Sequence, residues 1–262
     1  MSRPKRRFWR RSTGALAERR RQNAAGDEFE TRTVHAGQEP DVATGAVVPP
    51  ITLASTFVQD AVGDHRGYEY ARSANPTRAA LETCVAELEG AEHGLAFASG
   101  MAAEDATLRA ALDAGDHVII PAEAYGGTYR LVARLHEPAG IAWTAVDHAD
   151  LDAIGGAWRD ETKLVWVETP TNPLLTVVDI AAVTKLAHER GARVVVDNTF
   201  ATPYLQQPLG LGADVVVHST TKYLGGHSDV VGGIVAVRDA ELAERIAFVQ
   251  NAAGAVPGPF DC

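Results

Sequence analysis

The sequence has few cysteines and no long apolar run. Only Cys84 and Cys262 occur among its 262 residues, which is too few for a disulfide framework, so a reducing cytoplasm is the expected compartment. No uninterrupted apolar stretch approaches the ~18 residues of a membrane-spanning helix. A P-loop lysine motif is missing, and no convincing Gly-x-Gly-x-x-Gly follows a first strand. These absences disfavour a secreted disulfide scaffold, a membrane protein and a nucleotide-binding enzyme.

Basic residues are scarce outside the first 25 positions. That segment holds nine Lys/Arg against the single acid Glu18, and the remaining 15 basic and 33 acidic residues carry a net charge of −18. Such an acidic body argues against nucleic acid as the main partner. We interpret residues 1–28 as a basic, disordered extension or an over-extended start, because they lack the apolar region of a secretory signal. Binding of nucleic acid or an anionic membrane by this extension is the weaker alternative.

Short apolar runs alternate with helical patterns from about residue 90 onward. Several of these runs are apolar on both faces, as expected where helices cover both sides of a sheet. The alternation predicts an α/β fold with a mainly parallel seven-stranded sheet between helices. The predicted strands are 94–98, 117–120, 141–146, 164–167, 192–196, 214–217 and 233–237, and the main helices are roughly 101–113, 124–136, 179–190 and 239–250.

The region before this core divides into an arm and a helix. Asn75 is a predicted N-cap with Pro76 at the first helical position, and Gly90 ends the helix. Cys84 falls on the apolar face of that helix and is interpreted as a small core residue. Residues 36–76 have many Gly, Pro and Thr and little periodicity. They predict an extended arm that packs on another surface, with a second subunit as one candidate.

Two candidate catalytic side chains follow apolar strands. Lys222 lies in a turn of small hydroxyl residues after the run 214–217, and Asp197 directly follows Val194-Val-Val196. A lysine crowded in a polar pocket loses proton affinity, and its neutral amine can form a Schiff base. A carboxylate at the carboxyl end of a buried strand lies where α/β proteins bind ligands. The alternatives are a solvated surface lysine and a helix cap at Asp197.

Small residues near the ends of two predicted strands could bind a phosphate. The run Ala98-Ser-Gly-Met101 joins a strand to a helix N-terminus, where backbone N–H groups point toward anions, although an ordinary tight turn would use the same residues. Ser219 and Thr221 add two hydroxyl groups beside Lys222. A lysine for an aldehyde, an aspartate for a protonated ring nitrogen and a phosphate cup together indicate pyridoxal phosphate (PLP).

At this point the chain resembles the Cys/Met-metabolism family of PLP-dependent enzymes, within its cystathionine γ-synthase and γ-lyase group. The matching stretches are 34–38, 68–77, 98–101, 125–128, 168–173, 196–199 and 214–228. The resemblance implies the large domain of a fold-type-I PLP-dependent transferase at 76–262. It also implies that residues 29–75 are an arm that contributes to a neighbouring subunit's site.

The resemblance implies a role for each matching residue. Lys222 forms the internal Schiff base and shuttles protons, Asp197 holds the ring nitrogen's proton, and Tyr125 stacks on the ring and acts as an acid or base near the leaving group. The remaining cofactor contacts are Thr199 beside the ring, Asn172 on the ring oxygen, and Gly100, Met101, Ser219 and Thr221 on the phosphate, joined by Tyr70 and Arg72 from a neighbouring subunit. No metal is assigned to the flanking residues His218, His227 and Asp229.

The implied chemistry is transsulfuration at the γ carbon of homoserine-derived amino acids, within methionine and cysteine metabolism. Either cysteine replaces an acyl group on activated homoserine, or cysteine is eliminated from cystathionine, and the residues present do not choose between them. Gly127 stands where methionine γ-lyase typically has a cysteine, which disfavours that relative. The expected assembly is a cytoplasmic homotetramer, a dimer of dimers.

Family members continue beyond the position of Cys262 into a smaller C-terminal domain. That domain normally supplies the arginine that binds the substrate α-carboxylate. We therefore expect a truncated enzyme that positions substrate poorly. The alternative is a catalytically inactive fragment that only binds PLP or forms oligomers.

Overall fold

The computed structural model describes residues 28–262, so the predicted basic extension lies outside the described residues except for its last position. The helices are α1 (Phe29–His35), α2 (Pro76–Glu89), α3 (Gly100–Ala111), α4 (Gly126–Leu131), α5 (Leu151–Gly156), α6 (Ile180–Glu189), α7 (Thr202–Leu205) and α8 (Ala240–Ala253). The strands are β1 (Gln59–Ala61), β2 (Asp64–His65), β3 (His93–Phe97), β4 (His117–Pro121), β5 (Ala142–Val146), β6 (Thr162–Glu168), β7 (Arg193–Asp197), β8 (Val215–His218) and β9 (Gly233–Val237).

Seven strands form one sheet in the order β3-β9-β8-β7-β6-β4-β5. Strand β9 is antiparallel to both of its neighbours, and the remaining pairs are parallel. All seven predicted strands are present, and the prediction of a mainly parallel α/β sheet is confirmed. Because β9 runs against the rest, its first residue lies at the same edge of the sheet as the last residues of β3 and β8.

Helices cover both faces of the sheet, and alternate strand residues enter different cores. On β7, Val195 packs in the core formed with α3 and α8, whereas Val194 and Val196 pack against α5 and α6. The same alternation along β6 puts Trp166 on the α3 side and Val167 on the α6 side. Asp197 and Glu168 continue these rows and therefore lie on the α3 face.

The predicted helix at 124–136 is shorter in the structure. Helix α4 ends at Leu131, and the chain continues through a π-helical turn, Val132–His136, and a 3₁₀ turn, Glu137–Ala139. Pro138 lies in that 3₁₀ turn, where its missing N–H cannot extend an α-helix. The β1–β2 hairpin and the six-residue α5 were not predicted, since neither is long enough to show a clear period.

The predicted cap of α2 is present and also holds the arm. The Asn75 side chain accepts hydrogen bonds from the backbone N–H groups of Thr77 and Arg78, and it donates to the carbonyl of Thr52 at 2.9 Å. Gly90 ends the helix in a left-handed conformation, with φ of 67°. One buried amide thus caps α2 and ties residue 52 of the predicted arm to the start of that helix.

Within residues 28–262 no helix combines the length and apolar character needed to cross a membrane.

Candidate active site

Most of the predicted site residues lie at or just beyond the carboxyl edge of the sheet, whereas Tyr70 and Arg72 lie on the predicted arm. Gly100 follows β3, Tyr125 follows β4, Asp197 ends β7, and Ser219 follows β8. Because these strands run in the same direction, their carboxyl ends meet at one edge. The topology therefore brings together residues that are up to 122 positions apart, as Gly100 and Lys222 are.

The lysine loop begins directly after β8. The Lys222 N–H bonds to the carbonyl of Ser219, and the Lys222 carbonyl accepts from Gly226, so residues 219–226 form consecutive turns. The Lys222 side chain is exposed, and its ammonium forms no hydrogen bond or ion pair with residues 28–262. Residues 28–262 do not form the crowded pocket that we expected around this amine.

A hydrogen bond joins the ends of β7 and β8. The Ser219 N–H donates to the Thr199 hydroxyl at 2.8 Å, and the Thr199 N–H donates to the Asp197 carboxylate at 2.9 Å. This chain of two bonds fixes Asp197 relative to the start of the lysine loop. Thr199 is buried beside Asp197, and its place next to a cofactor ring stays a prediction.

Gly100 and Ser219 face each other closely enough to form a cup. A β-carbon at position 100 would lie 2.8 Å from Cβ of Ser219 and 3.1 Å from its hydroxyl oxygen. Ser99 caps α3 by accepting from the N–H of Ala102 at 3.1 Å, which aligns the first turn of the helix. The N-terminus of α3 and the Ser219 hydroxyl thus border one small space suited to an anion.

Thr221 lies in the lysine loop, but its hydroxyl bonds to Gly232 of the same chain. Its hydroxyl donates to the Gly232 carbonyl at 3.3 Å and accepts from the Gly232 N–H at 3.0 Å. This pair joins the lysine loop to the residue before β9. Phosphate binding by Thr221 stays a prediction.

Tyr125 and Met101 pack together at the start of α4. The hypothetical β-carbon at Gly127 would overlap the Tyr125 ring and lie 2.7 Å from the Met101 sulfur. A cysteine at position 127 would therefore displace one of these side chains. The absence of a side chain at this position lets the Tyr125 ring, which is 41% exposed, lie against Met101 at the rim of the site.

Glu168 holds two of the predicted site residues. One of its carboxylate oxygens accepts from the Tyr125 N–H and the other from the Asn172 N–H, both at 2.7 Å. Glu168 belongs to the matching stretch 168–173, but no role was predicted for it. Its position at the end of an apolar strand, like that of Asp197, was the signal that could have identified it.

Burial raises the pKa of both carboxyl groups. Burial raises the pKa of Glu168 to about 7, the hydrogen bonds from Tyr125 and Asn172 oppose this, and the charge of Asp197 adds to it. Burial also raises the pKa of Asp197, opposed by its hydrogen bonds with Thr199 and by nearby His218. Asp197 and Glu168 are register partners on neighbouring strands, so their negative charges repel each other. A positively charged ligand group beside Asp197 would relieve this repulsion.

Tyr70 and Arg72 contact residues that lie outside the lysine loop. The Arg72 guanidinium donates to the Asn251 carbonyl at 2.6 Å and lies 5.5 Å from the centre of the Tyr70 ring. Both residues belong to the arm that Asn75 terminates. That they bind the cofactor phosphate in a neighbouring subunit stays a prediction.

The residues that flank Lys222 have structural contacts. His218 is fully buried and pairs with Glu89 at 2.6 Å, while His227 bonds to the Gly225 carbonyl. Among residues 28–262 no group of three or more His, Cys, Asp or Glu side chains has the arrangement of a metal site.

Comparisons with known proteins agree with this arrangement. The model of the Cys/Met metabolism PLP-dependent enzyme family matches residues 30–262. Cystathionine γ-synthase of Mycobacterium tuberculosis is 60% identical, covering 88% of this chain and 60% of that protein, and cystathionine β-lyase of Coxiella burnetii is 50% identical, covering 91% and 62%. The crystal structure of metB from Corynebacterium glutamicum has a TM-score of 0.90 and 51% identity, covering 91% of this chain and 62% of that one.

An α/β sheet with a lysine loop, a strand-end aspartate and a small-residue turn at one edge defines a PLP-binding domain of the transferase type. The chain belongs to the Cys/Met metabolism PLP-dependent enzyme family, as the sequence predicted. It spans about 60% of the length of the γ-synthase and β-lyase relatives given above. The site fits PLP because the Gly100–Ser219 cup suits a phosphate and the Asp197 carboxylate has no cationic hydrogen-bond or ion-pair partner among residues 28–262.

Replacing Gly100 by alanine should block the cup. The new methyl group would press on Ser219, so we expect the affinity for PLP to fall about tenfold or more, equivalent to ~1.4 kcal/mol. Fluorescence titration of the purified chain measures this change. Gly156→Ala is the matched control, because no atom lies within 4 Å of a β-carbon there. Equal affinities in the two variants would contradict the assignment.

Replacing Glu168 by glutamine should change how stability depends on pH. The pKa of Glu168 rises from 4.5 to about 7 on folding, so its stabilising contribution is complete below pH 4.5 and is lost as the pH rises through 7. The free energy of unfolding should therefore fall between pH 5 and 8 by about 1–3 kcal/mol more in the wild type than in E168Q.

Urea unfolding at the two pH values measures this difference, with the exposed Glu244→Gln variant as control. The control should keep the wild-type pH dependence. The interpretation is wrong if E168Q keeps it as well.

Proposed function

We propose that this chain forms the cofactor-binding part of a PLP-dependent transsulfuration enzyme that acts at the γ carbon of homoserine-derived amino acids. The observation that carries this proposal is the convergence of Lys222, Asp197 and the Gly100–Ser219 cup at one edge of the sheet. When bound, PLP supplies an electron sink that stabilises negative charge at the substrate α carbon.

The protein's own residues have distinct tasks in this proposal. Lys222 supplies the amine that binds the cofactor's aldehyde and later carries protons between substrate carbons. Asp197 faces the ring nitrogen and keeps a proton there, held in place by Thr199. Tyr125 covers the ring and exchanges a proton near the leaving group, while Glu168 fixes the backbone of Tyr125 and Asn172.

The preferred reaction is replacement of an acyl group on activated homoserine by cysteine, which yields cystathionine. Support comes from the 60% identity with a cystathionine γ-synthase, against 50% with a cystathionine β-lyase. A γ-elimination from cystathionine uses the same residues and is the second candidate, supported by 47% identity with a structure named as a cystathionine γ-lyase from Lactobacillus plantarum. The proposed compartment is the cytoplasm, because two cysteines are too few for a disulfide framework.

The arm is the proposed contact with a second copy of this chain. It exposes Val42, Val47, Val48, Ile51, Leu53, Val58 and Val62, seven apolar side chains that are each at least 53% exposed. A stretch so rich in exposed apolar residues is suited to an interface. In the proposed homo-oligomer, a dimer of dimers, it brings Tyr70 and Arg72 to the phosphate of the neighbouring site.

Borohydride reduction tests whether Lys222 binds the cofactor. The sequence contains four lysines, Lys5, Lys163, Lys185 and Lys222. After incubation with PLP and reduction, peptide mapping should find the pyridoxyl group on Lys222, and K222A should lose the label. The exposed Lys185→Ala variant should be labelled like the wild type. Label spread over several lysines, or retained in K222A, would refute the role.

The same preparations separate an enzyme from a silent fragment. Formation of cystathionine from activated homoserine and cysteine should be detectable in the wild type and absent in K222A. Specific labelling of Lys222 without turnover would leave the fragment as the better description.

Mixed oligomers test the role of Arg72. R72A alone should bind PLP weakly and K222A should not be labelled, but co-refolding the two chains should restore about a quarter of the sites, since only half of the dimers are mixed and each has one intact site. Labelling at limiting PLP measures this recovery. No gain on mixing would show that Arg72 does not act across subunits.

A further inference from the structure

A buried hydrogen-bond network lies behind the candidate site. Its centre is the carboxylate of Glu89, the last residue of α2. The Oε1 atom of Glu89 lies 2.6 Å from Nε2 of His218, and it accepts a hydrogen bond from the side-chain amide of Asn198 at 2.8 Å. All three side chains are closed to solvent, since each of these residues is 0% exposed. No role was predicted for Glu89 or Asn198, and the proposed reaction gives them none.

Both partners of this carboxylate are chain neighbours of candidate site residues. Asn198 directly follows Asp197 at the end of β7, and His218 directly precedes Ser219 at the end of β8. Alternate residues of a strand point to opposite faces of the sheet. The side chains of Asn198 and His218 therefore point away from the face on which Asp197 lies, and they meet on the other side of the sheet.

Gln206 extends the network to the end of β6. Its side-chain amide donates to Oδ1 of Asn198 at 2.9 Å and to the carbonyl of Thr169 at 3.3 Å. The side chain of Asn198 in turn donates to the Gln206 carbonyl at 2.9 Å. Thr169 directly follows Glu168, the carboxylate that holds two other site residues. One network thus joins the ends of β6, β7 and β8 immediately beside the residues that these strands present to the site.

We propose that Glu89 is a positioning residue that sets the spacing between Asp197 and the lysine loop from the face of the sheet opposite Asp197. The inference rests on the proposed function, in which Asp197 meets the ring nitrogen of PLP while Lys222 binds its aldehyde. One oxygen atom that bonds to both strand ends fixes the distance between them. Because the network is closed to solvent, water does not replace either bond when this oxygen moves away.

Two substitutions separate the position of this oxygen from its charge. Glu89→Asp keeps the charge but withdraws the carboxylate by one methylene group, whereas Glu89→Gln keeps an acceptor oxygen at the same reach. His117→Leu is the matched control. His117 is also 0% exposed, and its ring bonds to the hydroxyl groups of Thr162 and Thr144, but it begins β4 and so lies at the opposite edge of the sheet.

Amide hydrogen exchange of the apoprotein measures local opening without the cofactor. The N–H groups of Thr199 and Ser219 form the two bonds that join the ends of β7 and β8, and the N–H of Ala142 forms a bond at the opposite edge. We expect E89D to speed exchange at Thr199 and Ser219 about tenfold relative to Ala142, which is the effect of one lost hydrogen bond. E89Q should match the wild type, and H117L should show the reverse pattern.

Wild-type exchange in E89D, or faster exchange to the same extent at both edges, would overturn the proposal, because a residue that only stabilises the core loosens the whole sheet. Faster exchange at Thr199 and Ser219 in E89Q would overturn it as well, since the charge of Glu89 rather than its reach would then hold the strands. The E89Q result decides the question even if E89D does not fold.

The affinity for PLP tests the consequence for the site. Fluorescence titration should show an affinity about tenfold lower in E89D and unchanged in E89Q and H117L. An equal loss in E89D and H117L would contradict a positioning role, because it would follow from lower stability alone. If the wild-type chain binds no PLP, the proposed function fails, while the exchange pattern still decides whether Glu89 holds the two strand ends together.

Discussion

The site depends on negative charge held at the carboxyl edge of a covered sheet. Asp197 lies at the end of a strand that is apolar on both faces, where water cannot stabilise a carboxylate well. A hydrogen bond from the Thr199 N–H holds it, and no cationic side chain among residues 28–262 bonds to it. A ligand with a protonated ring nitrogen would supply that cation, which fits PLP, the cofactor of the family.

Backbone contacts transmit this arrangement to the rest of the site. The Ser219–Thr199 bond fixes the lysine loop to β7, and Glu168 fixes the chain at Tyr125 and Asn172. These bonds start from strand ends rather than from flexible side chains. The reactive groups therefore lie on loops, but the positions of the loops are set by the sheet.

Much of the fold followed from local patterns in the sequence. The seven strands were recognisable because apolar runs such as Val194-Val-Val196 are short and regularly spaced, and the cap at Asn75 has a clear chemical signature. The antiparallel direction of β9 could not be predicted, since direction depends on where the preceding loop returns. Helix α4 passes into a π-helical turn at Val132, a change that the apolar pattern of the sequence does not mark.

Only part of the candidate site could be predicted from the sequence. Lys222, Asp197 and Gly100 each lie in a local motif that can be recognised within a single segment. Glu168 matters through its hydrogen bonds to Tyr125 and Asn172, and no single segment of the sequence shows that Glu168 and Asp197 lie side by side on neighbouring strands. The exposure of Lys222 could not be predicted either, because an apolar strand that precedes a residue does not determine which other segments cover its side chain.

The double hydrogen bond between Thr221 and Gly232 closes a ring of ten intervening residues at its base. Lys222 lies at the closed end of this ring, held by its own N–H, which donates to the Ser219 carbonyl, and by its carbonyl, which accepts from the Gly226 N–H. Residues 227–231 lie beyond both bonds. The length and composition of that outer stretch can therefore vary while the backbone at Lys222 stays fixed.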